Sequence, residues 1–249
     1  MIRAAGHLAA QILGVCAARV APGVSTLDID RFAADLMAKS GCRSAFLGYR
    51  KFPGNICISL NDEVVHGIGR SSRTIREGDI VKIDVGIVKE GWIGDNATTV
   101  PVGTIDEATW SLLQATEDSL DAAIAHGRHN GSLRDLCSSV EKCVVKRGFS
   151  VVRQFVGHGV GRKLHEEPQV PNWGDPSIRT KLKAGMVLAI EPMINAGRGS
   201  TKILSDGWTA VTTDGRPSAH FEHMILITEG DPEILTPRVR LTQPLEAAR

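Results

Sequence analysis

The stretch that decides the fold is IVKIDVGIVKEGWIGDNATTVPV, residues 80–102. In its first part, apolar residues alternate with Lys82, Asp84 and a glycine, which is the period-two pattern of a β-strand. The segment Lys89–Glu90–Gly91 separates this strand from a second β-rich run, and a short turn between two such runs predicts a β-hairpin. In this interpretation Asp84 and Asp95 each lie inside a strand of the hairpin.

The N-terminal segment has two interpretations. Its apolar residues faintly resemble a signal peptide, but His7 and Gln11 interrupt the run and one basic residue is a poor n-region. Leu8, Ile12 and Val15 instead lie at positions i, i+4 and i+7, the apolar stripe of an amphipathic helix. We therefore predict a first structural helix. No stretch of the sequence approaches the roughly 18 apolar residues that span a membrane.

Three further helices are predicted from their end signals. A second helix has Thr26 as its candidate N-cap and ends at Gly41. A third follows Asp106 and ends at Gly127, and a fourth begins at Ser132 in a sequence that resembles a capping box. Other strands are predicted at residues 56–60, 150–156, 186–194, 208–213 and 220–228, and a surface loop at residues 168–185.

The predicted elements alternate between helices and strands, so that helices followed by hairpins occur twice along the chain. This order is typical of an α+β fold, and we interpret it as a duplicated, pseudo-twofold domain. No linker or low-complexity tract divides the sequence, so residues 1–249 are predicted to form a single domain. A chain of this length can bury about 70–75% of its unfolded surface. It needs neither a disulfide nor a metal merely to fold.

Composition excludes several classes of partner. The chain has 29 Lys and Arg against 28 Asp and Glu, which gives no electrostatic reason to expect a nucleic acid or a membrane surface. With one Tyr and six Phe, a platform for stacking bases is not expected either. The five cysteines are odd in number and include no CxxC pair, which is typical of free thiols in a reducing compartment.

Four carboxylates lie in strand-like segments where apolar residues are expected: Asp84, Asp95, Glu191 and Glu222. A carboxylate in an apolar strand is costly unless it is paired or coordinated. A single one is usually an edge-strand residue that faces water, but four of them favour a shared site.

Two histidines, His158 and His165, lie in the glycine-rich stretch GHGVGRKLHEEP at residues 157–168. Glycine lets the backbone approach a site closely. An isolated histidine is more often structural, but two in one such stretch favour a functional role. No thiolate pair accompanies them, so a structural zinc finger is excluded.

Four carboxylates and one imidazole form an oxygen-rich ligand set, which suits Mn²⁺, Fe²⁺ or Co²⁺ and also Zn²⁺. One divalent ion would leave such a site strongly anionic, whereas two would neutralise the carboxylates. Two ions could also share a bridging hydroxide, because a bound divalent metal can lower the pKa of water toward about 7. We therefore expect two divalent metal ions (Co, Mn, Fe or Zn) as cofactors.

The residues Asp84, Asp95, His158, Glu191 and Glu222 resemble, in type and order, the five metal ligands of the methionine aminopeptidase family. The motifs around them, KIDVG, GD, GHGVG, IEP and FEH, are similar too, and the resemblance covers nearly the whole chain. It implies a type I enzyme with the pita-bread fold, in which a curved antiparallel sheet is backed by helices.

The resemblance also implies a role for each metal ligand. Asp84 is expected to hold one metal, and Asp95 and Glu222 to bridge both. His158 and Glu191 are expected to complete the second. Glu191 is also the expected proton shuttle for the bridging water, a task that suits a carboxylate beside the nucleophile.

Further residues are implied to contact the substrate. His165 is expected to stabilise the developing oxyanion and His66 to contact the scissile peptide nitrogen, although His66 alone would be interpreted as a turn residue. The pocket for the methionine side chain is expected at Tyr49, Phe52, Cys57, Leu164 and Trp208, each of which alone would be ordinary core packing.

The resemblance thus predicts removal of the initiator methionine from nascent proteins with a small second residue, by metal-activated attack of water on the first peptide bond. The expected partner is the nascent N-terminus at the ribosome, in the cytoplasm, and the chain is expected to be a monomer without direct nucleic-acid or membrane contact. Phe52, Leu164, Asn96 and His220 depart from the residues common in bacterial members. These departures leave the rate, pH profile and specificity open.

Two alternatives remain. Prolidases and proline aminopeptidases use a similar five-ligand set, but generally with an extra N-terminal domain for which no room exists before Asp84. A non-catalytic pita-bread binding protein is the other, although such proteins lose ligands and this chain keeps all five. The type II methionine enzymes insert a helical subdomain between the last two ligands, and the 31 residues from Glu191 to Glu222 are too few for it.

Overall fold

The structure, a computed structural model, describes residues 1–237. The helices are α1 (Ile2–Ala17), α2 (Thr26–Lys39), α3 (Glu107–Ala125) and α4 (Leu133–Val145), with a short 3-10 helix at Tyr49–Lys51. The strands of the first half are β1 (Arg43–Ser44), β2 (Cys57–Leu60), β3 (Glu63–Val65), β4 (Ile80–Lys89) and β5 (Trp92–Pro101). Those that follow are β6 (Ser150–Val151), β7 (Gly157–Gly159), β8 (Glu166–Val170), β9 (Val187–Ile190), β10 (Met193–Asn195), β11 (Thr201–Ile203), β12 (Ala210–Thr212), β13 (Ser218–His220), β14 (His223–Leu226) and β15 (Glu233–Ile234).

The predicted hairpin is confirmed. Strands β4 and β5 pair along their whole length, from Ile80 opposite Pro101 to Lys89 opposite Trp92. The two turn residues, Glu90 and Gly91, both have positive φ, at 51° and 76°. A two-residue turn of this kind has the twist that antiparallel strands require. β1 and β2 pair with β4, so that the hairpin is the centre of a four-stranded sheet.

The hairpin has two buried faces with different partners. One face carries Val81, Ile83, Val85 and Ile87, which are fully buried in a core that also contains apolar residues of α1 and α2. On the opposite face, where alternation places Asp84, the sheet borders the second half of the molecule. The alternating pattern therefore reflects a division between core and site rather than between core and solvent.

Helix α1 forms as predicted, but its buried face differs from the predicted stripe. Val15 is 47% exposed, whereas Ala5 and Ala9 are fully buried. These small residues let the helix approach β5 closely: a Cβ added to Gly94 would lie 2.2 Å from the carbonyl oxygen of Ala5. A search for large apolar residues misses a face built from alanine.

The N-cap of α2 is Ser25 and not Thr26 as predicted. Ser25 Oγ accepts a hydrogen bond from the Asp28 backbone at 3.2 Å, and the Asp28 carboxylate accepts one from the Ser25 backbone, which completes a capping box. Thr26 is buried, and its hydroxyl donates to the Arg70 carbonyl. The predicted caps Asp106 of α3 and Ser132 of α4 are both confirmed.

The second half repeats the order of two helices followed by antiparallel sheet. Helices α3 and α4 share one hydrophobic core with residues of a five-stranded sheet in the order β15-β14-β9-β7-β8. Its strands are shorter than predicted. The segment 186–194 is divided between β9 and β10, and the segment 220–228 between β13 and β14. The first break contains Pro192, which cannot donate a backbone hydrogen bond to a neighbouring strand.

Two other boundaries also differ. The predicted strand at residues 150–156 is only the two-residue β6. The predicted surface loop begins inside β8, and two of its residues, Asn172 and Leu182, are at most 1% exposed. Asn172 Nδ2 donates to the Glu191 carbonyl at 3.0 Å, so this segment supports the site. Among residues 1–237, none of the helices combines the length and apolar composition that crossing a membrane requires.

Candidate metal centre

The hairpin register brings Asp84 and Asp95 together. Asp84 pairs with Ala97, and Asp95 pairs with Gly86. The two aspartates are therefore diagonal neighbours on one face of the sheet, close enough for the charge of Asp95 to raise the pKa of Asp84. A shift of the register by a single residue would place them on opposite faces.

The same geometry places the other predicted ligands in the second half. His158 pairs with Ala189, so Glu191, two residues further, projects from the same face. Glu222 and Glu191 lie opposite each other just beyond the ladder that pairs His223 with Ile190. The breaks between β9 and β10 and between β13 and β14 thus hold the two glutamates.

Backbone contacts join the two halves at the site. The Glu222 amide donates to the Ala97 carbonyl of β5 at 2.9 Å. Two residues before Glu222, the backbone of His220 is bonded to the side chain of Thr99. Thr99 Oγ1 donates to the His220 carbonyl at 2.7 Å and accepts from the His220 amide at 3.0 Å. These bonds fix β5 against the segment that carries Glu222.

All five predicted ligand residues line one cavity of about 390 Å³. His158 Nε2 lies 3.9 Å from Asp95 Oδ2 and 3.5 Å from Glu191 Oε1. Ligand atoms of Asp95, His158 and Glu222 all lie within 4.8 Å of one another. These separations are those of side chains grouped around a shared ion rather than of direct hydrogen bonds.

The carboxylates of the cavity repel one another. Burial, followed by the neighbouring carboxylates, raises the pKa of Asp84, Glu191 and Glu222 well above the usual range. Burial raises the pKa of Asp95 to about 7. The protein part of the site therefore favours protonated carboxyl groups and would favour ionised ones once a cation is bound.

The residues fit divalent metal ions. Asp84 Oδ1, Asp95 Oδ1 and Glu222 Oε1 are buried and have no hydrogen-bond partner among residues 1–237. Buried polar atoms are nearly always bonded, and an unbonded carboxylate oxygen is costly. Oxygen ligands on hard or borderline cations satisfy such atoms, and burial lowers the pKa of His158 to about 4, which leaves a neutral imidazole able to bind a metal.

Two further histidines that were named from the sequence, His66 and His165, line the same cavity. His165 meets His158 edge to face, with ring centroids 4.3 Å apart and an interplanar angle of 63°, and its Nδ1 is 2.7 Å from the Tyr49 hydroxyl. His66 has a positive φ of 61° and meets Phe155 edge-on at 5.2 Å. Burial, followed by the charge of the other histidine, lowers the pKa of His66 to about 4, and burial followed by Arg50 lowers that of His165. Both imidazoles are therefore neutral at neutral pH.

The predicted pocket wall also lines this cavity: Tyr49, Phe52, Cys57, Leu164 and Trp208. Phe52 and Trp208 meet edge to face, with ring centroids 5.1 Å apart. Asp206 holds the turn that carries Trp208, because its carboxylate accepts from the backbone of both Trp208 and Thr209 at 2.9 Å. The wall therefore combines residues from both halves of the chain.

Several residues of the cavity were not predicted from the sequence. Phe46, Arg50 and Phe155 line it but were not singled out. A Cβ on Gly86 would lie 2.3 Å from the Phe46 ring, so the glycine in KIDVG is a sequence signal for this contact. The position of Phe155, two residues before GHGVG, was a second available signal.

Known proteins share both the sequence and the structure of this chain. The model of metallopeptidase family M24 matches residues 1–229. Methionine aminopeptidase 1 of Bacillus subtilis (strain 168) is 44% identical over 236 residues, which cover 95% of this chain and 95% of that protein. The crystal structure of methionine aminopeptidase from Thermotoga maritima matches with a TM-score of 0.93 at 42% identity, over 95% of each chain.

A more distant solved structure shares the fold of this chain but little of its sequence. Prolidase from Pyrococcus furiosus matches with a TM-score of 0.77 at 22% identity, over 96% of this chain and 63% of that one, which shows a shared fold alone. The α+β architecture and the structural neighbours confirm the pita-bread fold. The chain belongs to metallopeptidase family M24, among the methionine aminopeptidases, and is a metal-dependent hydrolase.

Proposed function

We propose that this protein removes the N-terminal methionine from polypeptides whose second residue is small, by hydrolysis of the first peptide bond. The observation that carries the proposal is a single cavity in which unpartnered, buried carboxylate oxygens lie beside an apolar wall. Such a cavity can hold an uncharged side chain next to a hydrolytic centre. The names of the similar proteins support the same substrate class.

Two divalent ions (Co, Mn, Fe or Zn) are proposed as cofactors. Asp84 would help to hold one ion and His158 and Glu191 the other. Asp95 and Glu222 would help to hold the pair. The charge of four carboxylates supports two ions rather than one. When bound, such ions supply the Lewis acidity that polarises a carbonyl group and lowers the pKa of an attacking water.

Protein groups move the protons in this proposal. Glu191 accepts the proton of the attacking water and returns it to the leaving amine, as a carboxylate beside the nucleophile can do. In the tautomer with the proton on Nε2, His165 accepts from the Tyr49 hydroxyl at Nδ1, and Nε2–H donates to the oxygen that becomes negative. His66 contacts the scissile peptide nitrogen from its place beside Phe155 and Trp208.

The apolar wall selects the side chain. Tyr49, Phe52, Cys57, Leu164 and Trp208 would surround the methionine thioether. A pocket of this kind discriminates by shape and desolvation, at about 1–3 kcal/mol per methylene. A charged N-terminal side chain is disfavoured because the five wall residues carry no charge and burial would remove its water.

The oligomeric state, partner and location are proposed from the family and from the composition. The enzyme is proposed to act as a monomeric single domain of residues 1–249 on nascent chains at the ribosome, in the cytoplasm. The near balance of charge supports the absence of a nucleic-acid contact of its own.

A peptide panel tests the proposal. Met-Gly-Xaa, Met-Leu-Xaa and Xaa-Pro peptides are incubated with the purified protein and each divalent ion in turn. Cleavage of Met-Gly-Xaa, with Met-Leu-Xaa much slower, is expected. Preferential cleavage of Xaa-Pro peptides would assign the protein to the prolidase type instead.

A further inference from the structure

His220 is a buried imidazole of the cavity for which the proposed mechanism has no role. It is the last residue of β13 and is 2% exposed. Its Nε2 is buried without a hydrogen-bond partner within the described chain, as are the carboxylate oxygens of Asp84, Asp95 and Glu222. Buried polar atoms nearly always have a partner, so His220 Nε2 needs one.

A hydrogen-bond acceptor, the carboxylate of Glu191, lies close to this imidazole. His220 Nε2 lies 3.8 Å from Glu191 Oε2, and His158 Nε2 lies 3.5 Å from Glu191 Oε1. The carboxylate therefore lies between two imidazoles, with one at each oxygen. Movement of about 1 Å would bring His220 and Glu191 to the 2.9 Å of an N–H···O hydrogen bond.

The backbone of His220 is already fixed for this contact. Both its amide and its carbonyl are bonded to Thr99 Oγ1, and it pairs with Met193 in the ladder between β10 and β13. Only side-chain rotation of His220 or Glu191 is needed to close the remaining distance.

We propose that His220 is a positioning residue for Glu191. Its Nε2–H donates to Glu191 Oε2, and this bond directs Oε1 toward His158 and the metal side of the cavity. The inference rests on the proposed function, in which Glu191 is a metal ligand and moves the proton. Hydrogen bonds to ligating carboxylates typically change metal affinity or activity by about 10–100-fold.

The test compares His220→Leu with His220→Gln. Leucine fills a similar volume without a donor, whereas glutamine keeps an N–H. Calorimetric titration of the metal-free protein with Mn²⁺ should show about 10–100-fold weaker binding for H220L, with H220Q close to the unchanged protein. With Met-Gly-Xaa peptide and saturating Mn²⁺, kcat of H220L should fall while KM changes little, because the bond acts on Glu191 and not on the pocket wall.

His223→Leu is the matched control. His223 is also a buried imidazole beside a proposed ligand in sequence, but its Nδ1 is bonded to Thr236 Oγ1 at 2.8 Å and it is not part of the cavity lining. H223L should therefore lower the melting temperature of the metal-free protein and leave Mn²⁺ affinity unchanged. H220L should do the opposite, because it removes a buried polar atom that has no partner before metal binds.

The inference is overturned if H220L binds Mn²⁺ as tightly as the unchanged protein, or if H220Q loses as much affinity as H220L. Failure of the proposed function is distinguishable from either result. If the unchanged protein leaves Met-Gly-Xaa peptide intact while H220L still loses Mn²⁺ affinity, the substrate assignment fails and the positioning role stands.

Discussion

At the scale of single residues, the site concentrates negative charge that the protein itself does not neutralise. Asp84 illustrates the effect, since burial and then the charge of Asp95 raise its pKa well above the usual value. A carboxyl group whose pKa is raised by folding contributes stability below its unfolded pKa, and this stability is lost as the pH rises through the folded pKa. The metal-free protein therefore bears a cost at Asp84 that increases with pH.

We expect Asp84→Asn to stabilise the metal-free protein, by an amount that grows as the pH rises above 3.8, the ordinary pKa of an aspartate. Each unit by which folding raises the pKa corresponds to about 1.4 kcal/mol in the free energy of unfolding. Urea denaturation in the presence of a chelator measures the difference between variant and unchanged protein. Asp231→Asn serves as the control, because that side chain is 83% exposed. A stabilisation by Asp84→Asn that does not vary with pH would contradict the account.

The residues found from sequence and those missed differ for a physical reason. Asp84 and Glu222 interrupt apolar strands. Such an interruption is a signal in the sequence because a buried carboxylate is costly in the folded protein unless it is paired or coordinated. The contact of His220 with Glu191 depends on two strand breaks and was not visible. The exposure of Val15 was also missed, because alanines and not large apolar residues form the buried face of α1.

At the scale of elements, the β4–β5 hairpin sets the positions of the first two proposed ligands. Its register depends on the turn at Glu90 and Gly91 and on close packing against α1. The hairpin could be predicted because alternation and turn are local signals. The shorter strands β9, β10, β13 and β14 could not be bounded, because their ends are set by contacts across the two halves, such as the Glu222–Ala97 bond.

Gly94→Ala tests the packing of this hairpin. The added Cβ would lie 2.2 Å from the Ala5 carbonyl oxygen. Neither atom can move away by side-chain rotation, because one is a backbone atom and the other is bonded directly to the backbone. We expect a loss of about 1–3 kcal/mol in the free energy of unfolding. Gly230→Ala is the control, because within residues 1–237 only Thr228 Oγ1 would lie near its Cβ, at 3.9 Å, and its melting temperature should be unchanged. Equal stability of the two variants would show that α1 does not constrain the hairpin.

At the scale of the whole molecule, the proposed centre joins two similar halves. Asp84 and Asp95 come from the first, and His158, Glu191 and Glu222 from the second. The duplicated α+β order could be inferred from the sequence, because it depends on element types alone. How the halves meet could not, because Thr99 and Ala97 carry no sequence signal for their bonds to the 220–222 segment.

Metal binding should therefore stabilise both halves together. At free metal about 100-fold above its dissociation constant, the gain in unfolding free energy is about 2.7 kcal/mol for one site. We expect differential scanning calorimetry to show one transition that moves to higher temperature when Mn²⁺ replaces chelator. Two transitions, of which metal shifts only one, would mean that the centre belongs to a single half.

The central claim is that the five residues form a metal centre that hydrolyses the bond after an N-terminal methionine. The most direct measurement is the rate of methionine release from Met-Gly-Xaa peptide by Asp84→Asn and Glu222→Gln at saturating Mn²⁺ or Co²⁺. Circular dichroism confirms that both variants are folded. The account predicts that the unchanged protein releases methionine only with metal present and that both variants lose metal-dependent release. Cleavage by either variant at the rate of the unchanged protein would contradict it.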